Sequence, residues 1–178
     1  LGLNVLRTRK VVKDSIIQLV ILYCLLTSLY ILAISLASSI PELGATRFGI
    51  LLSSTGLGIA LGALLISQRG HKLNTIKLTR LGLFLISLSL ILIGQFQGLL
   101  VLTLLISCLI GFGASFVAIP AQTKIQENTP EQVMGKVFGL QNNLINIALS
   151  VPLLVVGWLV TNFGLILVLW LLAGVALF

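Results

Sequence analysis

Acidic residues are almost missing from this chain. Asp14, Glu42, Glu127 and Glu131 are the only four among 178 residues, and each lies in a short polar break. Charged residues of both signs make up 8 %, against about 25 % in a soluble domain. With 58 % hydrophobic residues, a soluble fold of this size would leave too much apolar surface exposed to water. Histidine occurs once, as His71 in a basic segment, so a metal centre has no ligand set. Cys24 and Cys108 both lie inside apolar runs and act as small apolar side chains rather than a disulfide pair. No nucleophile and base stand at workable spacing, and no glycine-rich phosphate cradle ending in Lys and Ser or Thr is present. No enzyme activity, cofactor or metal is expected.

Long charge-free stretches fill the rest. They run Ser15 to Pro41, Phe48 to Gln68, Leu81 to Thr123 and Val137 to Phe178, or 27, 21, 43 and 42 residues. A helix crosses a hydrocarbon core of about 30 Å with roughly 20 apolar residues, so the two longest stretches each hold about two crossings. Backbone groups in lipid must bond within the segment, which leaves helices or a closed barrel. Barrel strands alternate apolar and polar residues, and Leu99-Leu-Val-Leu-Thr-Leu-Leu-Ile106 does not. The chain therefore reads as an all-α membrane protein, a six-transmembrane-helix bundle. The expected spans are 15–40, 48–67, 81–97, 99–119, 137–160 and 165–178, the third extending back toward Ile76 where Lys77 and Arg80 snorkel. The last is 14 residues, about 21 Å of helix, and reads as truncated. Pro120 is expected to stop the fourth span, leaving 120–136 as a loop, and 161–164 to form a turn.

The net charge of +7 describes topology rather than a nucleic-acid partner. Arg7, Arg9, Lys10 and Lys13 precede the first span, Arg69, Lys72, Lys77 and Arg80 follow the second, and Lys124 and Lys136 follow the fourth. All ten fall on one side and only Arg47 on the other. The positive-inside rule then puts the N-terminus and both long loops in the cytoplasm.

Polar and small residues inside the spans are the site candidates. Gly58 and Gly62 form a small-xxx-small pair suited to a close helix crossing. The string from Gly56 to Gly62 has no preceding strand and is no dinucleotide fingerprint. Pro152 removes a donor in mid-helix and predicts a kink. Tyr23, Thr27 and Tyr30 share one face of the first span, and the fourth offers Ser107 and Phe112. Gln141, Asn142, Asn143 and Asn146 lie near the cytoplasmic end of the fifth. Asn142 and Asn146 are four apart and share a face. An amide at that depth needs water or a partner. A cavity-lining stripe and an interhelical hydrogen bond both satisfy it.

Two motifs resemble a known family. The segment Ala63-Leu-Leu-Ile-Ser-Gln-Arg-Gly-His-Lys72 resembles a worn copy of the signature loop of the major facilitator superfamily, matching at Leu65, Gly70 and Lys72. The usual acid is replaced, so its charge-relay role does not carry over. The run Ile119 to Pro130, followed by Gly135-Lys-Val-Phe-Gly-Leu-Gln141, resembles the loop before the eleventh helix in macrolide-efflux and siderophore-exporter-like members. Lys136 stands where Arg is usual, which keeps the charge but loses bidentate geometry.

The resemblance implies half of a twelve-helix transporter, here the C-terminal half, with residues 1–14 ending the central linker and 15–178 forming the bundle. Leu1 in place of an initiator Met also reads as the interior of a longer protein. Gly70, Lys72, Gln126, Glu127, Pro130, Gly135 and Lys136 would belong to cytoplasmic gating loops. Tyr23, Thr27, Tyr30, Ser107, Phe112, Asn142 and Asn146 would line a substrate cavity. Implied partners are the lipid bilayer of a bacterial plasma (inner) membrane, an N-terminal six-helix half and a small amphipathic substrate exported by proton-coupled antiport, with no nucleic acid. A lipid or lysolipid translocator of the same fold and a non-transporting six-span partner protein stay open as alternatives.

Overall fold

A computed structural model describes residues 9–40, 47–69, 74–96 and 99–177. Among the described residues there are six helices: α1 Lys10–Ser39, α2 Gly49–Arg69, α3 Thr75–Gln95, α4 Leu100–Glu127, α5 Glu131–Phe163 and α6 Leu165–Leu177. The first five are long and apolar enough to cross a membrane; α6 is shorter. Their outer faces are largely apolar, with Leu154 80 % and Val101 71 % exposed, as suits helices surrounded by hydrocarbon. Lipid is as apolar as leucine, so the helices associate through close packing and hydrogen bonds rather than through the hydrophobic effect.

α4 is the central post. It packs against α2, α3 and α1; α3 also holds α6, and α1 also holds α5. Glycine makes two of these crossings possible. A Cβ at Gly58 would overlap the carbonyl oxygen of Cys108, one at Gly62 the Ser115 hydroxyl, and one at Gly111 the carbonyl oxygen of Thr55. The expected small-xxx-small contact is thus between α2 and α4. On another side of α4, a Cβ at Gly113 would lie 2.8 Å from the Gly82 carbonyl oxygen of α3. Hydroxyls add ties between helices: Ser54 Oγ donates to the Leu104 carbonyl at 2.6 Å, joining α2 to α4, and Ser87 Oγ to the Ala173 carbonyl at 2.9 Å, joining α3 to α6.

Helix bounds differ from expectation around Pro120. α4 runs through this proline to Glu127, and α5 begins at Glu131, so the expected loop 120–136 reduces to three residues. Pro120 costs the helix one hydrogen bond, but the extension buries Ala121 and Ile125 against Val12, Ile16, Leu19 and Val137. Tertiary packing of this kind outweighs local propensity. The end is then closed by side chains. Thr129 Oγ1 donates to the Ile125 carbonyl at 2.6 Å, Asn128 Nδ2 to the Lys124 carbonyl at 2.9 Å, and Arg9 Nη1 to the Asn128 carbonyl at 2.7 Å.

The turn expected at 161–164 is likewise a single residue. Gly164 takes φ +82, a left-handed value that a side chain would strain, and joins α5 to α6 directly. Thr161 and Asn162 remain helical, their side chains donating back to the Trp158 carbonyl at 2.8 Å. α5 is continuous across Pro152. α3 starts at Thr75, where Asn74 Oδ1 accepts from the Ile76 amide at 3.0 Å.

Candidate functional site

Two ends of the bundle are built differently. At one end, the start of α1, the end of α4 and the start of α5 meet in a small apolar cluster. Lys10, Lys13, Asp14, Lys124, Glu127, Glu131 and Lys136 all lie on these helix ends. Of the expected gating residues, Gln126 and Glu127 occupy the last turn of α4, Pro130 caps α5, and exposed Gly135 and Lys136 lie in its first two turns. They belong to helix ends rather than to a loop. Gly70 and Lys72 lie outside the described residues.

A polar clasp lies just inside this end. Gln141 Nε2 donates to Gln122 Oε1 at 2.9 Å, linking α5 to α4. Gln141 is only 7 % exposed, and its Oε1 has no hydrogen-bond partner among the described residues. Sequence reading picks out the run Gln141 to Asn143 but not which amide turns inward, nor that Gln122 meets it. The rotation of α5 decides this. Asn142 and Asn146 are exposed on the uncovered side of the helix, and the hydroxyl of Ser150 returns to the Asn146 carbonyl at 2.8 Å.

At the opposite end lies a pocket of about 250 Å3. α1 and α2 both lean on α4 but touch each other little, and the wedge between them stays open. α1 contributes Leu26, Tyr30 and Ala33, α2 contributes Thr55, Gly56 and Ile59, and α4 contributes Ser107 and Ile110. None of the described lining residues is charged. Tyr30 stands edge-on to Phe48 with ring centroids 5.9 Å apart. Thr55 Oγ1 donates to its own helix at the Leu51 carbonyl, 3.1 Å away.

The expected cavity residues therefore divide. Tyr30 and Ser107 come together in this pocket. Tyr23 packs on the cluster at the charged end, and Thr27 is buried. Phe112 lies at the α2–α4 crossing, where its backbone faces Gly58 and Gly62, and its ring rests on Phe116 with centroids 4.6 Å apart. Asn142 and Asn146 sit apart from the pocket, on α5. Thr55 and Gly56 are missed by sequence reasoning. Their signal was the glycine-rich stretch of α2, which reads as packing alone.

Neither a curated protein nor a solved structure matches the chain. Residues 16–178 match the family model of the Major Facilitator Superfamily. With five membrane-length helices and a shorter sixth among the described residues, whose charges lie at or next to helix ends, the chain belongs to the Major Facilitator Superfamily, a family of membrane transporters.

Proposed function

We propose that this bundle is the C-terminal half of a secondary active exporter that moves a small amphipathic molecule by alternating access, coupled to protons. One observation carries the reading. Asn146 lies 15 residues into the 33-residue α5, about 22 Å along a helix of about 50 Å, and its side chain is exposed. An amide facing hydrocarbon at that depth is costly. A face bearing Asn142 and Asn146 calls for water or a second protein surface, as a path between two six-helix halves provides. The worn signature loop favours the second half, and the likeness of the 119–141 region to exporters favours export. The described helices carry acids only at their ends, Asp14, Glu127 and Glu131, and none deep in a span, so a coupling residue within the membrane would belong to the partner half.

Thiol accessibility tests this. With Cys24 and Cys108 replaced by Ala, Asn146→Cys in native membranes should react with a membrane-impermeant maleimide, and substrate should protect it. An Asn146→Cys that reacts only after detergent solubilisation would mean a lipid-facing or packed helix and would end the path reading. Transport that persists after the pH gradient is collapsed would remove proton coupling alone.

A further inference from the structure

Many hydroxyls in this bundle bond back to their own helix, and one that does not lines the pocket. Ser28, Thr55, Thr79, Thr123 and Ser150 each donate to the carbonyl one turn back, at 2.7 to 3.1 Å. This is the usual way a hydroxyl is satisfied in an apolar helix. Ser107 is 5 % exposed, lines the pocket, and its hydroxyl makes no hydrogen bond among the described residues. Its donor is therefore uncommitted, in a pocket whose lining is mostly aliphatic. A buried polar group left this way costs free energy unless something enters to pair with it.

We propose that the wedge between α1, α2 and α4 binds an uncharged, largely apolar molecule bearing a hydrogen-bond-accepting oxygen, with Ser107 as the donor. This deepens the transport reading and rests on it for the site's role in the cell: such a molecule is the cargo, or the part of the cargo held by this half. The chemistry follows from the lining. A charged group would be desolvated with no counter-ion among the lining residues. Leu26, Ala33, Ile59 and Ile110 offer only dispersion contacts. A volume of about 250 Å3 exceeds the roughly 150 Å3 that accepts benzene in an engineered apolar cavity, so a substituted aromatic ring fits. A lipid acyl chain would fit the same walls but has no use for Ser107, and this separates the two occupants.

The test is equilibrium binding to the protein in lipid nanodiscs, using three probes of similar size: acetophenone, ethylbenzene and benzoate. Gly56→Leu is the filled control. Gly56 lines the pocket, and a Cβ there meets nothing within 4 Å, so the added side chain enters open space. Each variant is first shown to keep the wild-type thermal midpoint. Acetophenone should bind more tightly than ethylbenzene by about two- to tenfold, the worth of one neutral hydrogen bond. Ser107→Ala should erase that preference while leaving ethylbenzene unchanged, and Gly56→Leu should weaken both.

Equal binding of acetophenone and ethylbenzene would make the wedge a lipid-chain cavity and overturn the proposal. So would benzoate binding as tightly as acetophenone, or a preference that survives Ser107→Ala. Should Gly56→Leu fail to fold, the Ser107→Ala contrast decides alone. The Asn146→Cys labelling experiment does not involve this pocket, so the transport path and the ligand site fail separately.

Discussion

Adding one methyl group at Gly111 should loosen the α2–α4 crossing, although the same change elsewhere tightens a helix. Gly→Ala in an open helix position is worth about 1 kcal/mol in favour of Ala. Gly157 on α5 is such a position, where an added methyl meets nothing within 4 Å. At Gly111 the methyl overlaps the carbonyl oxygen of Thr55, a backbone atom that cannot swing aside. α2 would have to withdraw as a body, straining the contacts of Gly58 with Cys108 and of Ser54 with Leu104. Overpacking costs about 1–3 kcal/mol, and an immovable obstacle belongs near the upper limit, so the net loss is about 2 kcal/mol. For a chain of this size that lowers the thermal midpoint by about 4–8 °C, while Gly157→Ala raises it by about 2–4 °C. Gly62→Ala should fall between them, because part of its obstacle is the Ser115 hydroxyl. The assay is the fraction remaining monodisperse after heating in detergent. Gly111→Ala as stable as Gly157→Ala would refute the crossing geometry.

The Gln122–Gln141 clasp should behave as a unit. Gln122→Leu leaves Gln141 buried with neither end of its amide paired and should cost about 1–3 kcal/mol, whereas replacing both by Leu should restore most of the loss; a double-mutant cycle on thermal midpoints measures the coupling, and additive losses would count against it. Lys136→Glu should weaken transport while membrane insertion stays intact, since it reverses a charge at the helix ends proposed to open and close. Unchanged transport with normal insertion would take Lys136 out of the gate.

Much of the fold was legible because the bilayer constrains it so tightly. Charge at the edges of each run located the helices, and Gly58 and Gly62 announced a close crossing. Pro120 misled because its local cost is visible in the sequence, whereas the compensating burial of Ala121 and Ile125 against α1 is not. The candidate site was only partly legible for a related reason. A helix has one sequence but many possible rotations, and nothing in the run Gln141 to Asn146 tells which amide meets Gln122 and which stays uncovered. Ser107 and Tyr30 were identifiable as polar residues in apolar helices. Their meeting beside Gly56 depends on α1 and α2 both leaning on a third helix.

The restriction of charge to helix ends has an electrical consequence. Moving one elementary charge through the membrane potential is worth about 2.3 kcal/mol per 100 mV. From Ser15 to Pro41, Phe48 to Gln68, Leu81 to Thr123 and Val137 to Phe178 there is no formal charge to move. Rocking of this bundle between two arrangements would therefore be nearly blind to the potential, and with a neutral molecule in the wedge it would stay so. Voltage dependence in transport would then report on the coupling ion and on the protein surface facing this bundle, and could be assigned to them without correction for this part of the machine.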